Sequence, residues 1–123
     1  MKKNIILCIL YLTSLCSVTV VADVPAAQKA EVEHLLEYIK NSPCVFERNG
    51  RKHQARDAVE HIRKKYNYYM DDIRSTEDFI AYSATKSALS GSYYRVSCPG
   101  KASVRSRDWL LAELKRFRSR PKP

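Results

Sequence analysis

Residues 44–54 have the sequence CVFERNGRKHQ, and this segment predicts a β-hairpin. Its two arms, residues 44–48 and 51–54, flank the dipeptide Asn49-Gly50. Asn-Gly is the strongest short-range hairpin signal, because both turn residues tolerate a positive φ. A third strand is predicted at residues 93–98, where apolar and polar side chains alternate. The sequence therefore predicts a small antiparallel sheet of two to three strands.

Helices are predicted on both sides of the hairpin, because apolar residues recur there at spacings of three and four. Ser75 and Ser106 are expected to cap two of them, since a hydroxyl side chain followed by acidic residues is typical of a helix start. The fold class that these elements predict is α+β, with about four helices packed on the small sheet. The predicted helices cover residues 25–41, 55–73, 75–90 and 106–117.

The first 22 residues have the pattern of a signal peptide. Lys2 and Lys3 precede an apolar stretch, and Val20 and Ala22 suit the −3 and −1 positions of a cleavage site before Asp23. The alternative is an uncleaved anchor, because the apolar stretch is nearly long enough to span a bilayer. We expect cleavage, and thus a periplasmic or secreted protein with no transmembrane segment. The predicted division is residues 1–22 as signal peptide, 23–117 as one compact domain and 118–123 as a disordered basic tail.

Two cysteines, Cys44 and Cys98, remain after the predicted cleavage. An even number of cysteines in an exported chain favours a disulfide, although two buried thiols are the alternative. If the third strand pairs with the hairpin, the two side chains come within bridging reach. A loop of 54 residues closed in this way stabilises the fold by about 4 kcal/mol in the chain-entropy model.

The chain is strongly basic, with a formal net charge of +9. Lys2 and Lys3 account for two of these charges, which leaves +7 for the predicted mature domain. A basic surface attracts polyanions, and export argues against nucleic acid as the partner. The expected partners are an envelope protein, a glycan or an anionic lipid surface.

Two residue patterns could carry chemistry. Ser83 and Lys86 match the Ser-x-x-Lys pattern of penicillin-recognising acyl enzymes, but the companion motifs of those enzymes are missing from the sequence. His53, Asp57 and His61 are spaced by four residues, yet no third helical ligand continues the series as a metal site would require. We therefore predict no catalytic residue, no metal site and no cofactor.

A recognition patch is predicted at two turns of the chain. The first supplies Arg48 and Asn49, and the second supplies Ser90, Gly91 and Tyr94. Arginine and tyrosine dominate many binding surfaces, and a glycine lets the backbone approach a partner closely. If the strands that carry them share a sheet, these residues are expected on one exposed face. The alternative is a turn and a helix end whose aromatic side chains cover the core.

The chain resembles the YfeK-like family of small exported bacterial proteins, which are grouped as a domain of unknown function. The resemblance covers most of the predicted mature chain, and its most specific motifs are Arg48-Asn49-Gly50, Glu77-Asp78-Phe79-Ile80 and Ser90-Gly91-x-x-Tyr94. It implies export to the periplasm and implies no activity.

Residues 90–94 also look like the Ser-Gly-x-x-Tyr loop that several unrelated periplasmic lysozyme inhibitors insert into a lysozyme cleft. This likeness implies that Ser90 and Tyr94 contact the catalytic carboxylates of the enzyme. Those inhibitors are rich in β-structure, and a basic domain is repelled by the commonest lysozymes, which are also basic. We expect a non-enzymatic exported binding protein, with a lysozyme-inhibitor-like or cell-wall-associated role as the first alternative. A small envelope hydrolase is the second alternative.

Overall fold

The computed structural model describes residues 13–17 and 24–122. The predicted signal peptide and its cleavage site lie largely outside the described residues. Four α-helices, a 3₁₀ turn and four short strands follow Pro25 in the order given next. They are α1 (Ala26–Lys40), β1 (Val45–Arg48), β2 (Arg51–His53), α2 (Ala55–Tyr68), the 3₁₀ turn Met70–Asp72, α3 (Thr76–Ser83), β3 (Arg95–Ser97), β4 (Val104–Arg105) and α4 (Ser106–Arg118).

The predicted α+β class is confirmed, and the sheet has four antiparallel strands in the order β2-β1-β3-β4. The extra strand, β4, is a two-residue segment that pairs with β3, and it is too short to give an alternating pattern in the sequence. Strand β1 lies in the middle, where Phe46 pairs with His53 on one side and with Val96 on the other. Strand β1 is therefore held from both sides as far as Glu47, and Arg48 at its end pairs with Arg51 of β2.

The predicted disulfide is confirmed and lies at one end of the sheet. Cys44 precedes β1 and Cys98 follows β3, and their Cα atoms are 4.2 Å apart. The neighbouring pair in the ladder is Val45 with Ser97. The bridge therefore fastens the two central strands at the end opposite the hairpin turn.

The helices enclose one apolar core between themselves and the sheet. Helices α2 and α4 contact the strands, while α1 packs against the other three helices. The periodic positions that predicted α1 are the ones it buries, and Ser75 caps α3 by accepting a hydrogen bond from the Asp78 amide at 3.0 Å. The largest fully buried apolar side chains are Leu35, Leu36, Ile39, Ile73, Phe79, Ile80, Val96 and Leu110.

The helix predicted to continue to Ser90 ends at Ser83, which corrects its boundary. The Thr85 hydroxyl donates to the Ile80 carbonyl at 2.8 Å, and such side-chain bonds compete with helix continuation. Lys86 then pairs with Tyr93 in an isolated antiparallel bridge. Residues 87–92 between them form a tight loop.

Three other predicted boundaries also move. Helix α2 ends at Tyr68 instead of Ile73, because the acidic residues that follow oppose the negative end of the helix dipole. Ser106 is the first residue of α4 rather than its cap, since β4 runs directly into the helix and buries it. At the other end, α4 extends to Arg118, one residue beyond the predicted end of that helix. The Arg118 guanidinium bonds Glu31 there, at 2.7 Å from Nε.

Candidate functional site

The hairpin turn and the loop after α3 are joined by side-chain hydrogen bonds. Asn49 Nδ2 donates to the Ser87 hydroxyl at 3.2 Å, and the Ser90 hydroxyl donates to Asn49 Oδ1. Asn49 has a φ of 51° and Gly50 a φ of 74°, the left-handed conformation that an Asn-Gly turn requires. The Asn49 side chain therefore fixes the loop against the end of β1.

Behind this turn, four polar side chains form a continuous cluster. The Arg48 guanidinium contacts His61 Nδ1, and His61 Nε2 lies 3.0 Å from the Tyr94 hydroxyl oxygen. Lys65 Nζ donates to the same oxygen at 3.1 Å and to the Lys86 carbonyl at 2.7 Å. His61 and Lys65 are one turn apart on α2, so they lie on the same side of that helix. We call Arg48, His61, Lys65 and Tyr94 the polar cluster.

The contacts fix the position of the hydrogen on the His61 ring. A guanidinium has donors only, so His61 Nδ1 accepts from Arg48 and the ring hydrogen is on Nε2. Nε2 then donates to the Tyr94 oxygen, which also accepts from Lys65. Both contacts use the Tyr94 oxygen as an acceptor. Its own hydrogen is left able to donate to a ligand.

Burial and neighbouring cations keep the His61 ring neutral. Loss of hydration, followed by repulsion from Arg48 and Lys65, lowers the pKa of His61 to about 4. Burial, with a further contribution from Arg48, also lowers the pKa of the Lys65 amine. Burial raises the pKa of the Tyr94 hydroxyl. At neutral pH the cluster thus places a neutral imidazole and a neutral phenol beside the Arg48 guanidinium.

The polar cluster opens into a cleft of about 830 Å³, which we call the turn cleft. Four cationic side chains line it, and no carboxylate is among the described residues that line it. Its outer part is apolar and exposed, with Leu89 at 97% and Tyr68 at 80% of their full accessibility. The residues that line the cleft are Arg48, Asn49, Arg51, His61, Lys64, Lys65, Tyr68, Tyr69, Ser87, Ala88, Leu89 and Tyr94.

The structure brings the predicted patch residues together but does not expose all of them. Arg48 and Asn49 meet the loop that carries Ser90 and Gly91, and Gly91 has a positive φ of 72°. Tyr94 is only 7% exposed, so the prediction that it lies on an exposed face is wrong. The reason is that its ring packs edge-on against His61, which leaves the hydroxyl as the part that reaches the cleft.

The three residues considered for a metal site do not share one helix. His53 ends β2, whereas Asp57 and His61 lie on α2. All three line a smaller cavity of about 230 Å³ on another side of the polar cluster, where His53 Nε2 is buried without a hydrogen-bond partner. Within residues 13–17 and 24–122, no three His, Cys, Asp or Glu side chains are grouped closely enough to hold a metal ion.

The Ser-x-x-Lys pattern is split by the end of α3. Ser83 is the last residue of that helix and is completely buried, and its hydroxyl has no partner among the described residues. Lys86 lies beyond the helix, in the bridge with Tyr93. The pair therefore lacks the helical spacing that would place the lysine beside the serine.

A wider groove of about 1090 Å³ lies at the other end of the sheet, beside the disulfide. The ring of Trp109 lies 4.5 Å from that of Tyr38 along this groove. The buried Glu113 carboxylate accepts from His34 Nε2 at 2.8 Å and contacts Arg116. The Glu113 carboxylate is thus neutralised by residues of the domain and is not left for a ligand. The turn cleft is therefore the candidate site.

Most of the side chains that line the cleft were absent from the predicted patch. His61 and Lys65 were not assigned to the patch, although their spacing of four residues on a predicted helix was a usable signal. Tyr68 and Leu89 were missed because the cleft that they line forms only where α2 and the loop after α3 come together.

Comparison with known proteins assigns a family. Residues 26–118 match the model of a family of unknown function, DUF5329. No curated protein and no solved structure matches the chain. Across the part of the chain that is described, none of the helices has the length and apolar character needed to span a membrane.

Proposed function

The chain belongs to this family of unknown function, and we propose that it is an exported, non-enzymatic protein that binds an anionic group in the turn cleft. The observation that carries the proposal is the convergence of Arg48, Lys65 and the Tyr94 hydroxyl on a cleft without a lining carboxylate. Charge-assisted hydrogen bonds from such donors are the strong ones in anion recognition. A phosphate or a carboxylate is the group that fits this set of donors.

The state of the polar cluster supports binding in preference to catalysis. A general base needs a free lone pair near its working pH, but His61 Nδ1 is occupied by Arg48. Its Nε2 donates to Tyr94, whose raised pKa keeps the phenol protonated. The cluster is therefore suited to donate hydrogen bonds to an anion. The envelope hydrolase that stands as the second alternative would have to use other groups.

Export to the periplasm remains part of the proposal, and it rests on the pattern of residues 1–22 and on the resemblance to exported proteins. The lysozyme-inhibitor alternative would use the same cleft, because a carboxylate of the enzyme would have to enter it to reach Tyr94. Ser90 is already bonded to Asn49 and to the Ser92 amide, so it is less available for such a contact.

Titration with inorganic phosphate, followed by amide shifts in ¹H–¹⁵N NMR spectra, tests the proposal. Phosphate should shift the amides of Arg48, Ser87 and Leu89 at the cleft. Tyr94→Phe removes the donor hydroxyl and should weaken binding roughly 10- to 100-fold, the range for a hydrogen bond to a charged group.

Tyr93→Phe is the matched control, because Tyr93 is exposed and its ring stacks on Arg105 outside the cleft. The control should bind phosphate as the wild type does. Equal affinities of the Tyr94→Phe variant and the wild type would refute the assignment. Shifts that are confined to residues outside the cleft would refute it as well.

A further inference from the structure

The outer part of the turn cleft combines two features of surfaces that dock on membranes. Leu89 occupies the tip of the loop between Lys86 and Tyr93 and is almost fully exposed, and Tyr68 is exposed at the end of α2. Both side chains line the turn cleft. Single exposed apolar residues are common on soluble proteins, but here an aliphatic and an aromatic side chain project beside the same cationic cavity.

The charge around these two side chains is positive. Arg51, Lys64 and Lys65 line the same cleft, and Lys86 is exposed beside it. Of these four basic side chains, only Lys64 forms an ion pair with a carboxylate among the described residues, and its Nζ lies 3.5 Å from Glu60 across one turn of α2. A cationic ring around an apolar tip is the arrangement that attracts a protein to anionic lipid and then inserts a side chain.

We propose that the rim of the turn cleft docks on an anionic lipid bilayer, with Leu89 inserted between the lipids and a lipid phosphate in the cleft. This inference rests on the proposed function, because it assigns the anion of that site to a lipid head group. Tyr68 lies at the level of the head groups, where amphipathic aromatic rings are favoured. Arg51 and Lys86 lie over the anionic surface, with their charged ends in the interfacial water.

The bilayer explains the rim better than a soluble anion does. A free phosphate needs the donors inside the cleft but gains nothing from an exposed leucine outside it. An acidic polymer would use the basic residues, and it too would leave Leu89 in water. A bilayer, which is charged outside and apolar inside, contacts both features at once.

Sedimentation of the mature protein, residues 23–123, with lipid vesicles tests docking, because the apolar stretch of residues 1–22 would bind lipid by itself. The protein should bind vesicles of phosphatidylcholine with phosphatidylglycerol and should not bind vesicles of phosphatidylcholine alone. Leu89→Ser should lower the partition coefficient about tenfold, and Arg51→Gln about fivefold, since a basic residue near such a surface contributes roughly that factor.

Two matched controls lie at the far side of the sheet. Val104 is partly exposed on β4, and Lys101 is exposed in the turn after the disulfide. Val104→Ser and Lys101→Gln should leave the partition coefficient within twofold of the wild type. If the controls weaken binding as much as Leu89→Ser and Arg51→Gln do, the cleft rim is not the docking surface.

The phosphate titration separates the two proposals. Binding of inorganic phosphate without binding of anionic vesicles overturns docking and leaves the proposed function intact. If the protein binds neither inorganic phosphate nor anionic vesicles, the proposed function and the docking proposal are both overturned. A further outcome is that the protein binds soluble polyglutamate more tightly than anionic vesicles, and that Leu89→Ser leaves its affinity for polyglutamate unchanged. This outcome identifies a soluble acidic partner and also overturns the docking proposal.

Discussion

Lowering the pH from 7 to 5 tests the environment that the fold gives to His61. The folded protein holds the pKa of His61 at about 4, whereas an unfolded chain has the ordinary value near 6.5. Above pH 6.5 neither state binds the proton. Between pH 6.5 and 4 the unfolded chain takes up a proton that the folded protein excludes. The free energy of unfolding therefore decreases as the pH falls through this range.

The size of the effect follows from the two pKa values. With the folded value of about 4 and an unfolded value of 6.5, linkage gives a loss of about 2 kcal/mol at pH 5 relative to pH 7. The His61 ring is only partly buried, so solvent screening reduces the expected loss to roughly 1 kcal/mol. This is large enough to measure, since a loss of 1 kcal/mol lowers the melting temperature of such a domain by about 4–8 °C.

Urea denaturation of the wild type and of the His61→Gln variant, each at pH 7 and pH 5, isolates the contribution of His61 to the loss of unfolding free energy. Glutamine keeps a side chain that can accept from Arg48 and donate to Tyr94, but it does not titrate. Other titrating groups contribute equally to both proteins and cancel in the difference. The wild type should lose roughly 1 kcal/mol more than the variant. An identical loss of unfolding free energy in both proteins would contradict the environment described for the His61 ring. A pKa of His61 near 6.5, measured by NMR, would contradict it as well.

Two further perturbations test the parts of the fold that hold the site. Replacing Cys44 and Cys98 by serine removes the disulfide that closes a loop of 54 residues. This lowers the free energy of unfolding by about 4 kcal/mol and should lower the melting temperature by more than 10 °C. Labelling of both thiols in the untreated wild type would refute the bridge. Asn49→Ala removes both side-chain bonds to the loop and places alanine at a positive φ, so it should destabilise by about 1–3 kcal/mol and speed amide exchange at Gly91. The exposed Asn67→Ala is its control, and equal exchange rates at Gly91 in the two variants would show that the Asn49 bonds do not hold the loop.

Local signals in the sequence predicted the elements whose structure depends on local interactions. The Asn49-Gly50 turn takes the conformation that its residue types favour, and Ser75 caps α3 as expected. The disulfide was also predictable, because an even number of cysteines in an exported chain favours a bridge, and one pairing of the predicted strands brings Cys44 and Cys98 within reach. Each of these conclusions needed only neighbouring residues or one pairing between strands.

The features that the sequence did not predict depend on contacts between distant segments. Residues after Ser83 have helical propensity, but the bridge between Lys86 and Tyr93 takes them out of the helix. The same loop buries the ring of Tyr94 beside His61, which no local pattern could indicate. Propensity is a weak prior where tertiary pairing supplies a competing set of hydrogen bonds. The spacing of His61 and Lys65 on α2 was visible in the sequence, but their contacts with Arg48 and Tyr94 depend on how β1, α2 and this loop pack together.

The backbone on both sides of Tyr94 explains how the phenol is positioned for binding. Its amide donates to the Thr85 carbonyl and its carbonyl accepts from the Ser106 amide, each at 2.9 Å. The side chain is then fixed by His61 and Lys65. A donor that is already immobilised loses little conformational entropy when a ligand arrives, so the affinity depends on the hydrogen bond and the charge around it. The disulfide end of the sheet supplies stability, while the hairpin end uses that rigidity to hold the donors of the turn cleft in place.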